Sequence, residues 1–281
     1  MKVIELAVDL TIEIQRLKKE GNSIGFVPTM GALHDGHISL VKKSVCENNI
    51  TVVSIFVNPT QFNNKQDLIN YPRTLSRDLD MLENSGCDIV FTPTNSEMYP
   101  EEDTRKFNFG DLECVMEGEF RPGHFNGVAQ IVSKLFRIVP ANRAYFGEKD
   151  FQQLAIINEL VAQLGLTIEI VPCQILREVD GLAKSSRNIL LSAVQREHAP
   201  LIYKILKESL NKKEILPVSE LKAWVINSID ADSELKTEYF EIVNAKTLKS
   251  ISSWSDNGEK VGCIAVIVGK VRLIDNIRYN F

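Results

Sequence analysis

The sequence predicts an α/β protein: a Rossmann-like, doubly wound parallel sheet followed by a second, smaller α+β domain. Three observations carry that expectation. Short apolar runs alternate with helical periods of about ten or more residues over the first two-thirds of the chain. The runs, such as TVVSIFV at residues 51–57, are continuous in apolar character, as in strands covered on both faces. After Asn188 the pattern changes to helices first and strands afterwards, with Gly269-Lys270 reading as a tight hairpin turn. The division expected is residues 1–180 and residues 181–281.

Residues 10–20 read as an amphipathic helix closed by Gly21-Asn22. Ile24, Phe26 and Val27 then form a buried strand that Pro28 and Gly31 break into a turn. Asp35 is the expected N-cap of a helix from about Gly36 to Asn48, and residues 51–57 make the next strand. Residues 75–84 are helical, Gly86 stops them, and residues 88–92 give a third strand. Helix 127–139, strand 144–146, helix 150–164 and strand 168–171 complete the alternation. The second region holds helices 192–210 and 219–229 and strands 237–243, 261–268 and 271–274.

Composition bounds what the chain does. It has 281 residues, 44% hydrophobic and 25% charged, enough for a buried core in either one large or two ordinary domains. A net charge of −5 gives no basic face for nucleic acid, so no nucleic-acid partner is expected. No run approaches the roughly 18 apolar residues of a membrane span, and the first residues resemble neither a signal nor a transit peptide. A cytoplasmic location is the expectation, with the five scattered cysteines reduced and mostly buried.

The stretch IGFVPTMGALHDGHISLV, residues 24–41, has the form of a phosphate site. A strand, a glycine-punctuated turn and a helix start would present free backbone N–H groups and a positive dipole end to an anion. Gly31 and Gly36 lack a Cβ, which lets a ligand approach the backbone. His34 and His37, three residues apart, point to one side of a helical first turn. With a reference pKa of about 6.5, raised by a bound polyanion, both are expected to act there as imidazolium. A histidine pair at this spacing also suits a metal, but only His124 and His198 remain and no C-x-x-C exists, so no metal held by protein ligands alone is expected. A P-loop is excluded because no G-K-[ST] follows the glycines.

Two further turns concentrate charge. Lys149 and Asp150 follow Gly147 at a strand-to-helix junction, with Gln152 and Gln153 in the helix's first turn. The lysine can lie along a phosphate and the aspartate can cap the helix or accept from a ribose hydroxyl. Lys184, Ser185, Ser186 and Arg187 place two cations and two hydroxyls in four residues, and such a loop can close over a triphosphate. Gln61 and Gln153 carry amides that donate and accept together, suiting a small hydroxy acid; Asn58, Tyr71, Arg121 and His124 are weaker candidates.

PTMGALHDGHISL resembles the H-x-G-H signature of nucleotidylyltransferases and class I aminoacyl-tRNA synthetases, and its full wording is similar to the pantothenate synthetase family. FVNPTQF, YPRT, RPGHFNGV, FGEKDFQQL, DGLAKSSRN and the closing LIDN match the same family in order. The resemblance implies ATP-dependent condensation of (R)-pantoate with β-alanine through a pantoyl-adenylate, with Mg²⁺ on the ATP phosphates and a homodimer. It implies a catalytic and ATP- and pantoate-binding role for residues 1–180 and a lid role for residues 181–281. By the same resemblance His37 is the proton donor, with His34 and Lys149 beside it in catalysis. ATP is implied to meet Met30, Gly31, Ala32, Leu33, His34, Asp35, Gly36 and His37, then Gly147, Glu148, Lys149 and Asp150. Leu176, Lys184, Ser185, Ser186 and Arg187 complete the implied ATP set. Gln61 and Gln153 are implied for pantoate, with Asn58, Arg121 and His124 as further substrate-binding candidates.

Overall fold

A wholly parallel six-stranded sheet forms the heart of the first of two units in the computed structural model, which describes residues 1–279. This unit comprises Met1–Phe109, Arg121–Glu148 and Gln153–Gln174. Its chain runs β1 (Lys2–Ile4), α1 (Ala7–Lys19), β2 (Ile24–Thr29), α2 (Asp35–Glu47), β3 (Ile50–Ile55), α3 (Lys65–Asn70), α4 (Leu75–Glu83), β4 (Ile89–Phe91) and α5 (Asn95–Met98). After α6 (Glu117–Phe120), part of the other unit, follow α7 (His124–Ile138), β5 (Arg143–Gly147), α8 (Phe151–Gln163) and β6 (Glu169–Cys173).

The strand order is β1-β4-β3-β2-β5-β6. The chain therefore builds outward from β2 through β3 to β4, then returns to the other side of β2 with β5. That reversal makes the carboxyl ends of β2 and β5 the topological switch point, where sheets of this kind bind ligands. The β2–β5 ladder stops at Phe26↔Ala144, before Pro28, which has no N–H to give to a partner. Ile24, Phe26, Val27, Val52, Val53 and Val90 are fully buried, each side chain contributing roughly 1.5–3 kcal/mol of burial.

The second unit comprises Gly110–Phe120, Lys149–Gln152 and Ile175–Phe281. Helices α9 (Ala193–His198), α10 (Leu201–Lys212) and α11 (Val218–Asp230) precede an antiparallel meander of β7 (Leu235–Asn244), β8 (Lys260–Val268) and β9 (Val271–Arg278). Ile205 and Leu206 of α10 and Leu221, Val225 and Ile229 of α11 share one core with Phe240, Ile264 and Leu273 of the sheet. Val268 pairs with Val271 across the expected Gly269-Lys270 turn. The segment Gly110–Phe120 is held here by polar contacts. Arg272 grips Glu117 with two bonds of 2.8 and 2.7 Å and also bonds Glu238, while the Tyr239 hydroxyl donates to Glu117 at 2.8 Å. The Gln152 side chain donates to the Leu112 and Val115 carbonyls and accepts from Glu117 N.

Several element boundaries differ from the sequence reading. Strand β1 has no periodic signal because it is three residues long and buries only Ile4. The expected helix 192–210 is two helices, since Pro200 cannot continue the hydrogen-bond ladder. Cys87, Cys173 and Cys263 are buried as expected, whereas Cys46 and Cys114 are exposed. Burial pushes the Cys87 thiol up to about 12 and that of Cys173 to about 11.

Candidate active site

The turn leaving β2 is held by a residue the sequence did not mark. Asp78 of α4, 1% exposed, accepts from Ala32 N at Oδ2 and from Leu33 N at Oδ1, both at 2.9 Å, and its Oδ1 also receives the Thr74 hydroxyl at 3.0 Å. Gly31 and Ala32 both have positive φ, 76° and 50°, so the carboxylate fixes a backbone that an alanine rarely adopts. A Cβ on Gly31 would meet Ile55 at 3.0 Å and Asp78 at 3.1 Å, which leaves the position to glycine on space as well as conformation. The sequence signal was available: Asp78 lies one helical turn from the fully buried Leu82, an acid on an apolar stripe.

The helix cap differs from the expectation. Helix α2 begins at Asp35, and its N-cap is His34, whose extended backbone aims Nδ1 at Gly36 N, 3.1 Å away. His37 Nδ1 in turn receives His34 N at 3.4 Å, and the two rings lie 4.1 Å apart between centroids. An imidazole nitrogen that accepts from a backbone N–H carries no proton itself, so this hydrogen-bond pattern assigns the neutral ring's proton to Nε2 in each. Each histidine thus offers an Nε2–H donor while neutral, and the imidazolium expected from the sequence would have to give up its cap bond.

VNPTQF and RPGHFNGV meet in this same unit. Asn58, 1% exposed, donates to Gln61 Oε1 at 3.0 Å and to Gly127 O at 3.1 Å, and accepts the Tyr99 hydroxyl at 2.7 Å. Gln61 places its Nε2 3.1 Å from the Met30 sulfur, and its carbonyl is 2.8 Å from His124 Nδ1. Helix α7 packs backbone to backbone on the Pro59–Gln61 turn, because a Cβ on Gly127 would fall 2.3 Å from Thr60 O. Met30, Asn58, Gln61 and His124 therefore form one linked cluster. Tyr71 is buried with its ring 5.7 Å from that of Phe62, and Arg121 and Gln153 are half-buried. Gly147 ends β5, and Glu148 follows it with its N donating to Cys173 O at 2.8 Å.

In the second unit Lys149 and Asp150 are half-buried, and Lys149 O accepts from Asn276 Nδ2 at 3.1 Å. Gln152, adjacent to Gln153, spends its amide on the Gly110–Phe120 segment and is a structural residue. Leu176 is 39% exposed. Lys184 is paired with Glu178 at 3.0 Å, and Ser185 caps the short 3-10 helix Ser186–Leu190 by accepting from Arg187 N. Among the described residues no three His, Cys, Asp or Glu side chains converge on a metal position, and no helix is long and apolar enough to cross a membrane.

The Pantoate-beta-alanine ligase family profile matches residues 2–278. The chain is similar to pantothenate synthetases of Phocaeicola vulgatus, 57% identical over 281 residues with both chains fully covered, and of Porphyromonas gingivalis, 50% identical over 280 residues with the same coverage. Among solved structures it is similar to pantothenate synthetase from Thermus thermophilus, 40% identical with a TM-score of 0.93 over the whole of both chains. It is also similar to pantoate-beta-alanine ligase from Francisella tularensis complexed with beta-gamma ATP and beta-alanine, 36% identical with a TM-score of 0.83, covering 99% of this chain and 98% of that one.

Proposed function

The chain belongs to the pantoate-beta-alanine ligase family, and from that premise we propose what each residue of the site contributes. The reaction is the ATP-dependent condensation of (R)-pantoate with β-alanine to pantothenate, AMP and pyrophosphate through a pantoyl-adenylate. A carboxylate does not accept an amine until its oxygen carries a leaving group. Pantoate oxygen therefore attacks the α-phosphorus of ATP and pyrophosphate leaves; the β-alanine amine then attacks the acyl carbon, loses a proton, and AMP leaves.

The observation that supports the site reading is the paired use of Nδ1 by His34 and His37. We read it as leaving Nε2–H as the donor of each neutral ring and assign those donors to the ATP phosphates, with His37 giving its hydrogen bond as charge builds toward pyrophosphate. The turn backbone of Met30, Gly31, Ala32 and Leu33, with Asp35 and Gly36, receives the nucleotide at the helix start. Gly147, Glu148, Asp150 and Leu176 are assigned to the nucleoside portion. Lys149, Lys184 and Arg187, with the hydroxyls of Ser185 and Ser186, neutralise the leaving pyrophosphate. Gln61 and Gln153 hold pantoate through their amides, with Arg121 for its carboxylate; Asn58 and His124 serve by fixing Gln61.

Mg²⁺ fits a site of this kind as a companion of the triphosphate, which supplies most of its oxygen ligands and needs no protein cage. It would add charge neutralisation on the phosphates. The functional division we assign is catalysis over residues 1–180 and a lid over residues 181–281, in a cytoplasmic homodimer. The direct test is to incubate the protein with ATP and pantoate and follow AMP and pantothenate. Pantothenate should appear only when β-alanine is added, and AMP without β-alanine should stop near one equivalent of enzyme. Steady AMP release without β-alanine would show that the adenylate is not held as proposed.

A further inference from the structure

The closing motif Leu273-Ile274-Asp275-Asn276 lies on β9 and has no part in the chemistry assigned so far. Along β9 the core-facing places alternate: Val271 and Leu273 are buried and apolar, and the next place on that face holds Asp275, 5% exposed. A carboxylate at such a register position requires a partner. Arg177 supplies it through a fork of two bonds, Nη1 to Oδ2 at 2.6 Å and Nη2 to Oδ1 at 2.9 Å, with its guanidinium 3.5 Å above the Tyr203 ring. Buried ion pairs of this sort stabilise a fold no better than well-packed apolar residues would. Stability is therefore a poor reason for placing one here.

What the pair does hold is the approach to the Lys184 turn. Arg177 Nη1 also donates to Gly181 O at 3.2 Å; residues 177 and 183 form an antiparallel bridge; and Lys184 N donates to Leu176 O at 3.0 Å. Asn188 closes the far side by donating to Ala183 O at 3.1 Å. The very next residue of β9, Asn276, is equally buried and donates to the Lys149 carbonyl at 3.1 Å. Two consecutive residues of one strand thus anchor both the Lys149 segment and the approach to the Lys184 turn, and Lys149, Ala183, Ser185 and Asp275 line one small enclosed cavity.

We infer that Asn276 and the Asp275–Arg177 pair are positioning residues for adenylate formation, setting Lys149 at a fixed distance from the Lys184 turn. This rests on Lys149 and that turn serving the ATP phosphates, as assigned above. Displacing a phosphate-binding cation by about 1 Å is enough to cost up to roughly 100-fold in rate.

The test separates the two half-reactions. Pantoate-dependent exchange of pyrophosphate into ATP reports the first; chemically made pantoyl-adenylate with β-alanine reports the second. Asn276→Ala should slow exchange about 10- to 100-fold and raise the KM for ATP, leave the second half-reaction within about twofold of the parent, and add no loss in a Lys149→Ala background. Asn276→Asp, which keeps the volume but sets an acceptor against the Lys149 carbonyl, should show the same pattern and serves if the alanine variant folds poorly. Parent-like exchange in both Asn276 variants overturns the inference. So does an equal loss in both half-reactions, or a loss that multiplies with that of Lys149→Ala, since either marks a general structural role. Parent-like exchange in Lys149→Ala instead overturns the assignment of Lys149 itself.

Discussion

Replacing Asp78 by asparagine should cripple adenylate formation although the residue touches no substrate in our assignment. The asparagine keeps one oxygen, which can still accept from Leu33 N and the Thr74 hydroxyl, but it sets an NH₂ group 2.9 Å from Ala32 N–H. A bond to a charged acceptor is lost and a buried donor is left facing a donor, a change worth about 2–4 kcal/mol. Ala32 sits in the left-handed region at a cost of about 1–2 kcal/mol, so the loss exceeds the strain that the carboxylate offsets. The turn should relax, carrying His34 away from the helix start. At about 1.36 kcal/mol per factor of ten, pantoate-dependent ATP–pyrophosphate exchange should fall roughly 30- to 1,000-fold. Thr74→Ala, which removes a hydroxyl but leaves both backbone bonds, should lose no more than about tenfold. Thermal midpoints and the rate with preformed pantoyl-adenylate serve as controls. A folded Asp78→Asn protein that exchanges within about threefold of the parent would refute the view that this carboxylate shapes the phosphate turn.

His37→Ala should slow adenylate formation about 10²- to 10⁴-fold, while preformed pantoyl-adenylate plus β-alanine restores most product; adenylate formation at the parent rate would remove this histidine from catalysis. Gln61→Ala and Gln153→Ala should each lose roughly 2–4 kcal/mol in kcat/KM for pantoate, checked by steady-state kinetics at saturating ATP. ATP should protect residues 184–187 from limited proteolysis and pantoate alone should not, so equal cleavage in both conditions would leave that turn an ordinary connection. The hydrogen bond that His198 Nδ1 donates to Asp232 raises the pKa of His198, so their contribution is complete below about pH 6.5 and is lost as pH rises through the raised value. The melting-temperature advantage of the parent over His198→Gln should accordingly be present at pH 6 and shrink toward pH 9.

Apolar and β-branched runs such as the one around Val52 and Val53 made the parallel sheet legible, because burial on both faces favours such residues along the whole strand. The motifs at the ends of β2, β3 and β5 could be placed for the same reason, each following a strand that composition betrays. The cap could not: Asp35 has the better side chain for it, and only the backbone shows that His34 occupies the position. The partners of Asp78 are backbone N–H groups 45 and 46 residues away, which leave no trace in residue identity, so its place on the apolar stripe of α4 was the one signal the sequence held, and that signal names no partner. Asn58 read as a substrate ligand when isolated in VNPTQF, whereas its amide is committed to Gln61, Gly127 and Tyr99. The stretch between residues 93 and 123 has short, irregular elements whose anchors lie far along the chain, so no local pattern announces them.

The grip of Arg272 on Glu117 spans 155 residues of sequence. During synthesis at about 5–20 residues per second, Glu117 leaves the ribosome roughly 8–30 s before the arginine that will neutralise it. The parallel sheet needs nothing beyond β6, so it can assemble in that interval with the Gly110–Phe120 loop hanging from it, carrying Met116 and Glu117, both buried in the finished protein, unprotected. A nascent chain stalled near residue 250 would hold this loop open indefinitely. The half-made protein should therefore be cleaved there by a dilute protease and bound there by a chaperone, and both vulnerabilities should vanish once Arg272 has been added.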